Sequence, residues 1–284
     1  MSATWAVVFP GQAERDVAAQ LAKLFAREPA WAALLEGTTS VAASEWLAQG
    51  GRALERTELY QPAMVALCLD AWARFSATHE VAFVAGHSLG EVTAWAVVHV
   101  VGAQRALELA WLRGVGMAAI AREVGGGLAL VARFELDEVL ALAHAAGGRA
   151  CLALENSRDT VVLSGDACAL RALGHRVRRL PGQGPWHGPW LAPVERALRA
   201  ALLSVYRAPS PTWVGEGDLA ARVCEPVRWV ATVDELCARG VTDIAIAGPG
   251  RAQRALLREL VPPSVNLHLV DDDAPLTGAV HASP

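Results

Sequence analysis

Gly86-His87-Ser88-Leu89-Gly90 restricts what this chain can fold into more than any other segment. It follows Val81-Ala-Phe-Val-Ala85, a short apolar run of the kind that forms a buried strand. It precedes Glu91 to Val101, which has helical composition. A G-x-S-x-G pentapeptide between strand and helix is a sharp turn that needs small residues on both sides of the serine. The turn lifts the hydroxyl clear of the chain. It also sets the serine at the N-terminus of the next helix, where N–H groups and the helix dipole favour an oxyanion. The bland reading is a tight turn with an incidental serine. The strand before and the helix after favour Ser88 as a nucleophile.

The rest of the chain repeats that alternation. Trp5-Ala-Val-Val-Phe9 is a buried strand ended by Pro10-Gly11, and Asp243-Ile-Ala-Ile-Ala247 is another, ended by Gly248-Pro249-Gly250. Helical spacing runs from about Glu14 to Leu35 with Pro29 as an interruption, from Pro62 to Phe75 with proline at the start, and from Ala103 to Ala121. Val194 to Tyr206 and Ala252 to Leu260 are further helices. Short strands alternating with helices imply a parallel sheet covered on both faces. Between them the rhythm changes. Gly127 to Phe134, Ala150 to Leu154, Thr160 to Ser164 and Val177 to Leu180 read as strands. Glu135 to Ala146 reads as a helix, as does Asp166 to Leu173 with an acidic cap. The order β-α-β-β-α-β is that of a ferredoxin-like unit. The expected fold is α/β: an α/β-hydrolase-like parallel-sheet domain over 1–123 and 183–284, with a ferredoxin-like subdomain inserted over 124–182. Asp271 to Pro284 reads as a loose tail.

Bulk properties exclude several classes. Of the 284 residues, 53% are apolar and 19% charged, so the chain can bury a large core. A net charge of −4 argues against nucleic acid as a partner. The five cysteines form no C-x-x-C pair, which reads as reduced thiols and no metal site. Met1 to Pro10 lacks the basic start and apolar run of a signal peptide, and no apolar stretch approaches the roughly 20 residues of a membrane span. A cytoplasmic protein with no membrane partner is expected.

A serine nucleophile needs a base. His87 adjoins Ser88, so its side chain should diverge from the hydroxyl. His99 in an apolar helix reads as a satisfied core histidine. His187 lies in Gly184-Pro185-Trp186-His187-Gly188-Pro189-Trp190, a loop too rich in glycine and proline to be a helix. As a base and as a merely exposed loop residue it stands about even.

Further segments make the match wider. Phe9-Pro10-Gly11-Gln12, Gln61-Pro62-Ala63, Gly86-His87-Ser88-Leu89-Gly90-Glu91 and Leu112-Arg113-Gly114 with Met117 occur in that order. Asn156-Ser157 with Val162-Leu163-Ser164-Gly165, Pro185-Trp186-His187, Glu225-Pro226-Val227-Arg228-Trp229 and Gly248-Pro249-Gly250 follow. Over nearly its whole length the chain resembles the malonyl-CoA:acyl-carrier-protein transacylases and the acyltransferase domains of polyketide synthases.

The resemblance implies roles residue by residue. Ser88 would be acylated, and His187 would be general base and then general acid. A main-chain carbonyl near Arg222, where relatives often have Gln, would orient the histidine. The N–H groups of Leu89 and Gln12 would form the oxyanion hole. Arg113 would grip the free carboxylate of a malonyl group through two parallel hydrogen bonds, which lysine cannot make. Its bland reading is a surface ion pair. Gln61, Met117 and Trp186 would line the substrate site. Arg176, Arg178 and Arg179 could meet the phosphates of CoA or of a phosphopantetheine arm, or acidic carrier helices; a solvated face is an equal reading. No bound cofactor is implied, because the coenzyme A thioester is a substrate. The partners would be an acyl-CoA, malonyl-CoA favoured, and an acyl carrier protein.

Departures from the family pattern matter. Ala13-Glu14-Arg15 stands where the family usually has G-S-Q. Trp186 replaces the usual Phe or Ser before the histidine; its bulk leaves little room for an α-methyl, or reshapes the pocket for another acyl group. These departures imply a specialised enzyme, free-standing in polyketide or fatty-acid synthesis. Alternatives are a carrier-to-carrier acyltransferase, an acyl hydrolase and, outside enzymes, a carrier-docking subunit with a dead site.

Overall fold

The computed structural model describes residues 3–12, 14, 17–48, 51–180, 184–202, 210–215 and 217–270. In chain order the elements begin β1 (Trp5–Phe9), α1 (Val17–Arg27), α2 (Ala30–Thr39), α3 (Ala43–Leu47), α4 (Thr57–Ser76), β2 (Val81–Gly86), α5 (Gly90–Val98) and α6 (Ala103–Val124). They continue with β3 (Gly127–Ala132), α7 (Leu136–Ala145), β4 (Ala150–Leu154), β5 (Thr160–Gly165), α8 (Ala167–Leu173), β6 (Arg178–Leu180) and α9 (Ala192–Ala201). The last are β7 (Thr212–Trp213), α10 (Trp229–Ala238), β8 (Asp243–Ile246), α11 (Arg251–Leu260) and β9 (Asn266–Leu269). The chain divides into two compact units. One comprises Met1–Trp111, Val205–Glu216 and Val233–Pro284; the other comprises Leu112–Ser204 and Gly217–Thr232.

The first unit is built on a five-stranded sheet of order β7-β2-β1-β8-β9, parallel at every pairing. Strands covered on both faces read as unbroken apolar runs. Val7, Val8 and Phe9 of β1 and Ile244, Ala245 and Ile246 of β8 accordingly have no exposed surface. Phe9 lies opposite Gly86 in the β1–β2 register, so the loop after β1 starts beside the elbow after β2. In open α/β sheets ligand sites form outside the carboxyl ends of the strands.

Pro62 reads from sequence as a helix start, but α4 begins at Thr57 and carries Pro62 inside. Leu59, Tyr60 and Gln61 are buried. Burying that extra turn outweighs the loss of the bond that a Pro62 N–H would have made to the Glu58 carbonyl. The apolar stretch around Pro29 splits there into α1 and α2 as expected. Sequence patterning does not announce β7, which has two residues, or β9, whose residues are exposed and half-buried in turn.

The second unit contains a four-stranded antiparallel sheet of order β4-β5-β3-β6. Its chain order β3-α7-β4-β5-α8-β6 is ferredoxin-like. Ala129, Val131, Val139, Ala143, Leu163 and Leu170 form its core. Asp166 caps α8, with Oδ1 accepting from the Ala169 N–H at 2.9 Å. β3 stops at Ala132, and Phe134 lies exposed in the following turn. The expected end of α9 at Tyr206 and the loose tail from Asp271 lie outside the described residues.

Candidate active site

Ser88 is held at φ 53°, in the left-handed region that costs a non-glycine residue about 1–3 kcal/mol. Its neighbours enforce that conformation. The N–H groups of Gly90, Glu91 and Val92 donate to the carbonyls of His87, Ser88 and Leu89, each at 3.0 Å. The His87 N–H donates to the Phe9 carbonyl at 3.0 Å, tying the elbow to the end of β1. Two glycines make the turn sterically possible. A Cβ on Gly90 would collide with the Phe9 carbonyl, and one on Gly86 with the Glu91 amide. The His87 ring lies against Gly11, at the start of the Gln12 loop.

The elbow leaves one amide over. Among the described residues the Leu89 N–H, at the N-cap of α5, meets no acceptor, and neither does the Gln12 N–H. Backbone donors inside a fold are almost always paired, so the unmet N–H of buried Leu89 and that of half-buried Gln12, at the carboxyl ends of β2 and β1, invite a negative oxygen. The Gln12 side chain is committed elsewhere. Its Oε1 accepts from Thr57 Oγ1 at 2.7 Å, and Gln61 Nε2 donates to the same hydroxyl at 3.0 Å. Gln61 is therefore a buried brace for Gln12 through Thr57.

His187, in the second unit, is 2% exposed and held at φ 56°. Its Nδ1 lies 2.9 Å from the Glu225 carbonyl oxygen and 3.2 Å from that of Arg222. Both partners can only accept, so Nδ1 carries the proton and donates. The neutral ring then has its lone pair on Nε2, the atom that can take a proton. The loop around it is held by its own residues. The Trp186 N–H donates to the Gly184 carbonyl at 2.8 Å, Trp190 Nε1 to the Pro185 carbonyl at 2.6 Å, and the Leu191 N–H to the Gly188 carbonyl at 2.9 Å. Cys151 Sγ donates to the His187 carbonyl at 3.5 Å. Burial pushes the Cys151 thiol up to about 11, so it stays protonated and able to donate.

Arg113 and Met117 stand one turn apart on α6 and are 5% and 2% exposed. Arg113 is thus a buried residue and not a surface one. Trp186 is 8% exposed, with its ring packed on Gly184. The basic residues do not form one patch. Arg176 pairs with exposed Glu138 at 2.8 Å. Arg178 and Arg179 are exposed neighbours on β6, so their side chains leave opposite faces of the sheet.

Sequence reading missed Thr57, Glu225 and Cys151. Glu225 lay in a segment already singled out, but nothing local says that its carbonyl is the part that matters. His99, expected to be satisfied, caps α5 with Nδ1 at 2.9 Å from the Trp95 carbonyl.

A parallel α/β sheet that presents a serine on a strained strand-to-helix elbow defines the α/β-hydrolase-like class. The pattern described as "Acyl transferase domain" matches residues 9–184, and the chain belongs to that family. The matched stretch contains Gln12, Gln61, Ser88, Leu89, Arg113 and Met117, and ends just before Trp186 and His187. A malonyl CoA-acyl carrier protein transacylase of Salmonella typhimurium is 26% identical over 306 residues, covering 97% of this chain and 98% of the relative. One from Mycolicibacterium smegmatis is 31% identical over 210 residues, 66% of this chain and 70% of that protein. The crystal structure of malonyl-CoA:acyl carrier protein transacylase from Xanthomonas oryzae pv. oryzae matches with a TM-score of 0.80 at 28% identity, covering 95% of each chain. Among the described residues no helix is long and apolar enough to cross a membrane.

Proposed function

We propose that this protein moves a malonyl group from coenzyme A to the phosphopantetheine thiol of an acyl carrier protein, through an acyl-serine at Ser88. The observation that carries the proposal is the elbow: a strained serine at a helix N-terminus, with the Leu89 and Gln12 amides at the strand ends meeting no acceptor among the described residues. The relatives named as malonyl transacylases support the acyl group and the two partners.

In the proposed reaction Ser88 Oγ attacks the thioester carbonyl and its proton passes to His187 Nε2. The oxyanion takes the Leu89 and Gln12 N–H groups, each donor worth about 3 kcal/mol in such chemistry. The tetrahedral intermediate collapses, the C–S bond breaks, and the imidazolium protonates the departing CoA thiolate. The carrier thiol then gives its proton to His187 and attacks the acyl-serine. A second intermediate forms and collapses, and Ser88 recovers its proton. Arg113 holds the malonyl carboxylate, with Met117 and Trp186 limiting the room beside it. Carrier-to-carrier exchange or hydrolysis of neutral acyl groups would not need the Arg113 guanidinium.

Coenzyme A enters this scheme as a substrate. Arg178 and Arg179, exposed on β6, are the basic residues offered to its phosphates or to carrier helices. We take 124–182 as the inserted subdomain and 1–123 with 183–284 as the catalytic domain, a boundary supported by the complete ferredoxin-like order within it. A cytoplasmic site of action fits the reading. Incubation with malonyl-CoA and intact-mass measurement tests the proposal. A malonyl adduct that disappears in Ser88→Ala is expected, and its absence from the native protein would refute the reading.

A further inference from the structure

The loop after β1 departs from the family pattern at Ala13-Glu14-Arg15, and nothing in the proposed chemistry uses Glu14. The side chain is nonetheless fully engaged. Oε2 accepts from the Ala252 N–H at 3.1 Å and Oε1 from the Gln253 N–H at 3.0 Å. These are the second and third amides of α11, among the donors a helix leaves unpaired at its start. The N-cap of α11 is Gly250, which has no side chain to cover them. A carboxylate there gains charge-assisted hydrogen bonds and the favourable end of the helix dipole.

The backbone of Glu14 is engaged as well. Its N–H donates to Tyr60 Oη at 3.1 Å, and the Tyr60 hydroxyl donates to the Glu14 carbonyl at 3.1 Å. Tyr60 is a buried residue of α4. Burial, together with the Glu14 charge, raises its pKa, so the phenol keeps the proton this bond requires. Both anchoring helices are firmly seated. Leu257 and Gln253 of α11 are buried, and Cys68 of α4 lies against Gly248 in the turn before α11.

Gln12 is two positions before Glu14, a span of roughly 7 Å at most. Its side chain is pinned to Thr57 of α4. Gln12, whose N–H meets no acceptor among the described residues, is thus held by Thr57, and Glu14 two positions on is held by Tyr60 and the α11 amides. We propose that Glu14 is a positioning residue. It latches the Gln12 loop to the N-terminus of α11 and so sets where the oxyanion donor stands. The proposal rests on the reading of Gln12 as that donor. A merely structural cap would stabilise α11 and leave the acylation rate alone.

Single-turnover acylation of Ser88 by malonyl-CoA, followed by quenched-flow mass measurement, separates the two. In Glu14→Ala the rate constant at saturating donor should fall about 10–100-fold, since misplacement near 1 Å can cost that much. The half-saturating donor concentration should stay unchanged, because the oxyanion exists only after attack. Glu14→Gln, whose single carbonyl oxygen can accept one of the two amides, should recover part of the rate. A lowered Tm with a native acylation rate in Glu14→Ala would overturn the latch while sparing the site reading. Native protein that forms no acyl-serine would overturn both. If circular dichroism shows Glu14→Ala unfolded, Glu14→Gln decides: a slowed folded variant supports the latch, and one at the native rate overturns it.

Discussion

The Nδ1 atom of His187 lies 2.9 Å from the main-chain carbonyl oxygen of Glu225. A peptide oxygen thus does the orienting that a carboxylate does in a Ser-His-Asp triad. Two outcomes follow for acylation kinetics. His187→Ala should slow Ser88 acylation about 10³-fold, as expected for loss of a general base. Arg222→Ala and Glu225→Ala keep the carbonyls that hold Nδ1 and should stay within about threefold of the native rate. A 100-fold loss in either would show that the side chain, not the peptide, orients the ring.

Gly90 has no room for a side chain because the Phe9 carbonyl occupies the space. Gly90→Ala should push β1 and the elbow apart and destabilise the fold by several kcal/mol, on the scale of overpacking and strain combined. Ser88→Gly, by contrast, relieves the left-handed strain and should raise stability by about 1 kcal/mol while abolishing the acyl adduct. Thermal melts of the two variants should move in opposite directions.

Arg113 is a buried guanidinium. Arg113→Ala should reduce preference for malonyl-CoA over acetyl-CoA by about 10–100-fold, the worth of a charge-assisted hydrogen-bonded pair. Arg113→Lys should recover little, because an ammonium cannot bond both carboxylate oxygens in parallel. The readout is the ratio of the two acyl-serine adducts under competition. An unchanged ratio in Arg113→Ala removes the carboxylate from the scheme.

Asp243 joins β8 to β9. Its carboxylate accepts from Thr242 Oγ1 at 2.8 Å and from Asn266 Nδ2 at 3.0 Å, with His268 Nε2 at 2.9 Å. Burial alone would raise its pKa; these bonds outweigh burial and hold it below the ordinary value. A depressed folded pKa contributes stability that is complete above the unfolded value near 3.9 and is lost as pH falls through the folded one. The difference between melts of native protein and Asp243→Asn should shrink as pH falls below about 4. A gap that widens toward acid would contradict the sign.

Much of the fold was legible because its signals are local. β1, β2 and β8 are unbroken apolar runs, and the elbow declares itself by its glycines. Asp166 lies where a cap belongs, and the ferredoxin-like unit shows in the order of its short strands. Other features depend on what lies across the fold. The start of α4 was missed because proline is a strong local signal for the first turn of a helix, overridden here by burial of Leu59, Tyr60 and Gln61. β9 was missed because its polar–apolar alternation, Asn266-Leu267-His268-Leu269, runs for only four residues, and the half-buried leucines of an edge strand give a weak signal.

The sequence by itself determined that Ser88 sits between a strand and a helix, because that turn needs only neighbours in the chain. The resemblance to the acyltransferases also pointed to Arg113 and His187, by their order and type. Only the tertiary structure decided which hydrogen bonds His187 and Glu14 make. The Glu225 carbonyl fixes the His187 tautomer from 38 residues away, and the α11 amides receive Glu14 from 238 and 239 residues away. Backbone N–H and C=O groups are the same at every residue. Which of them meets a given side chain is set by packing alone.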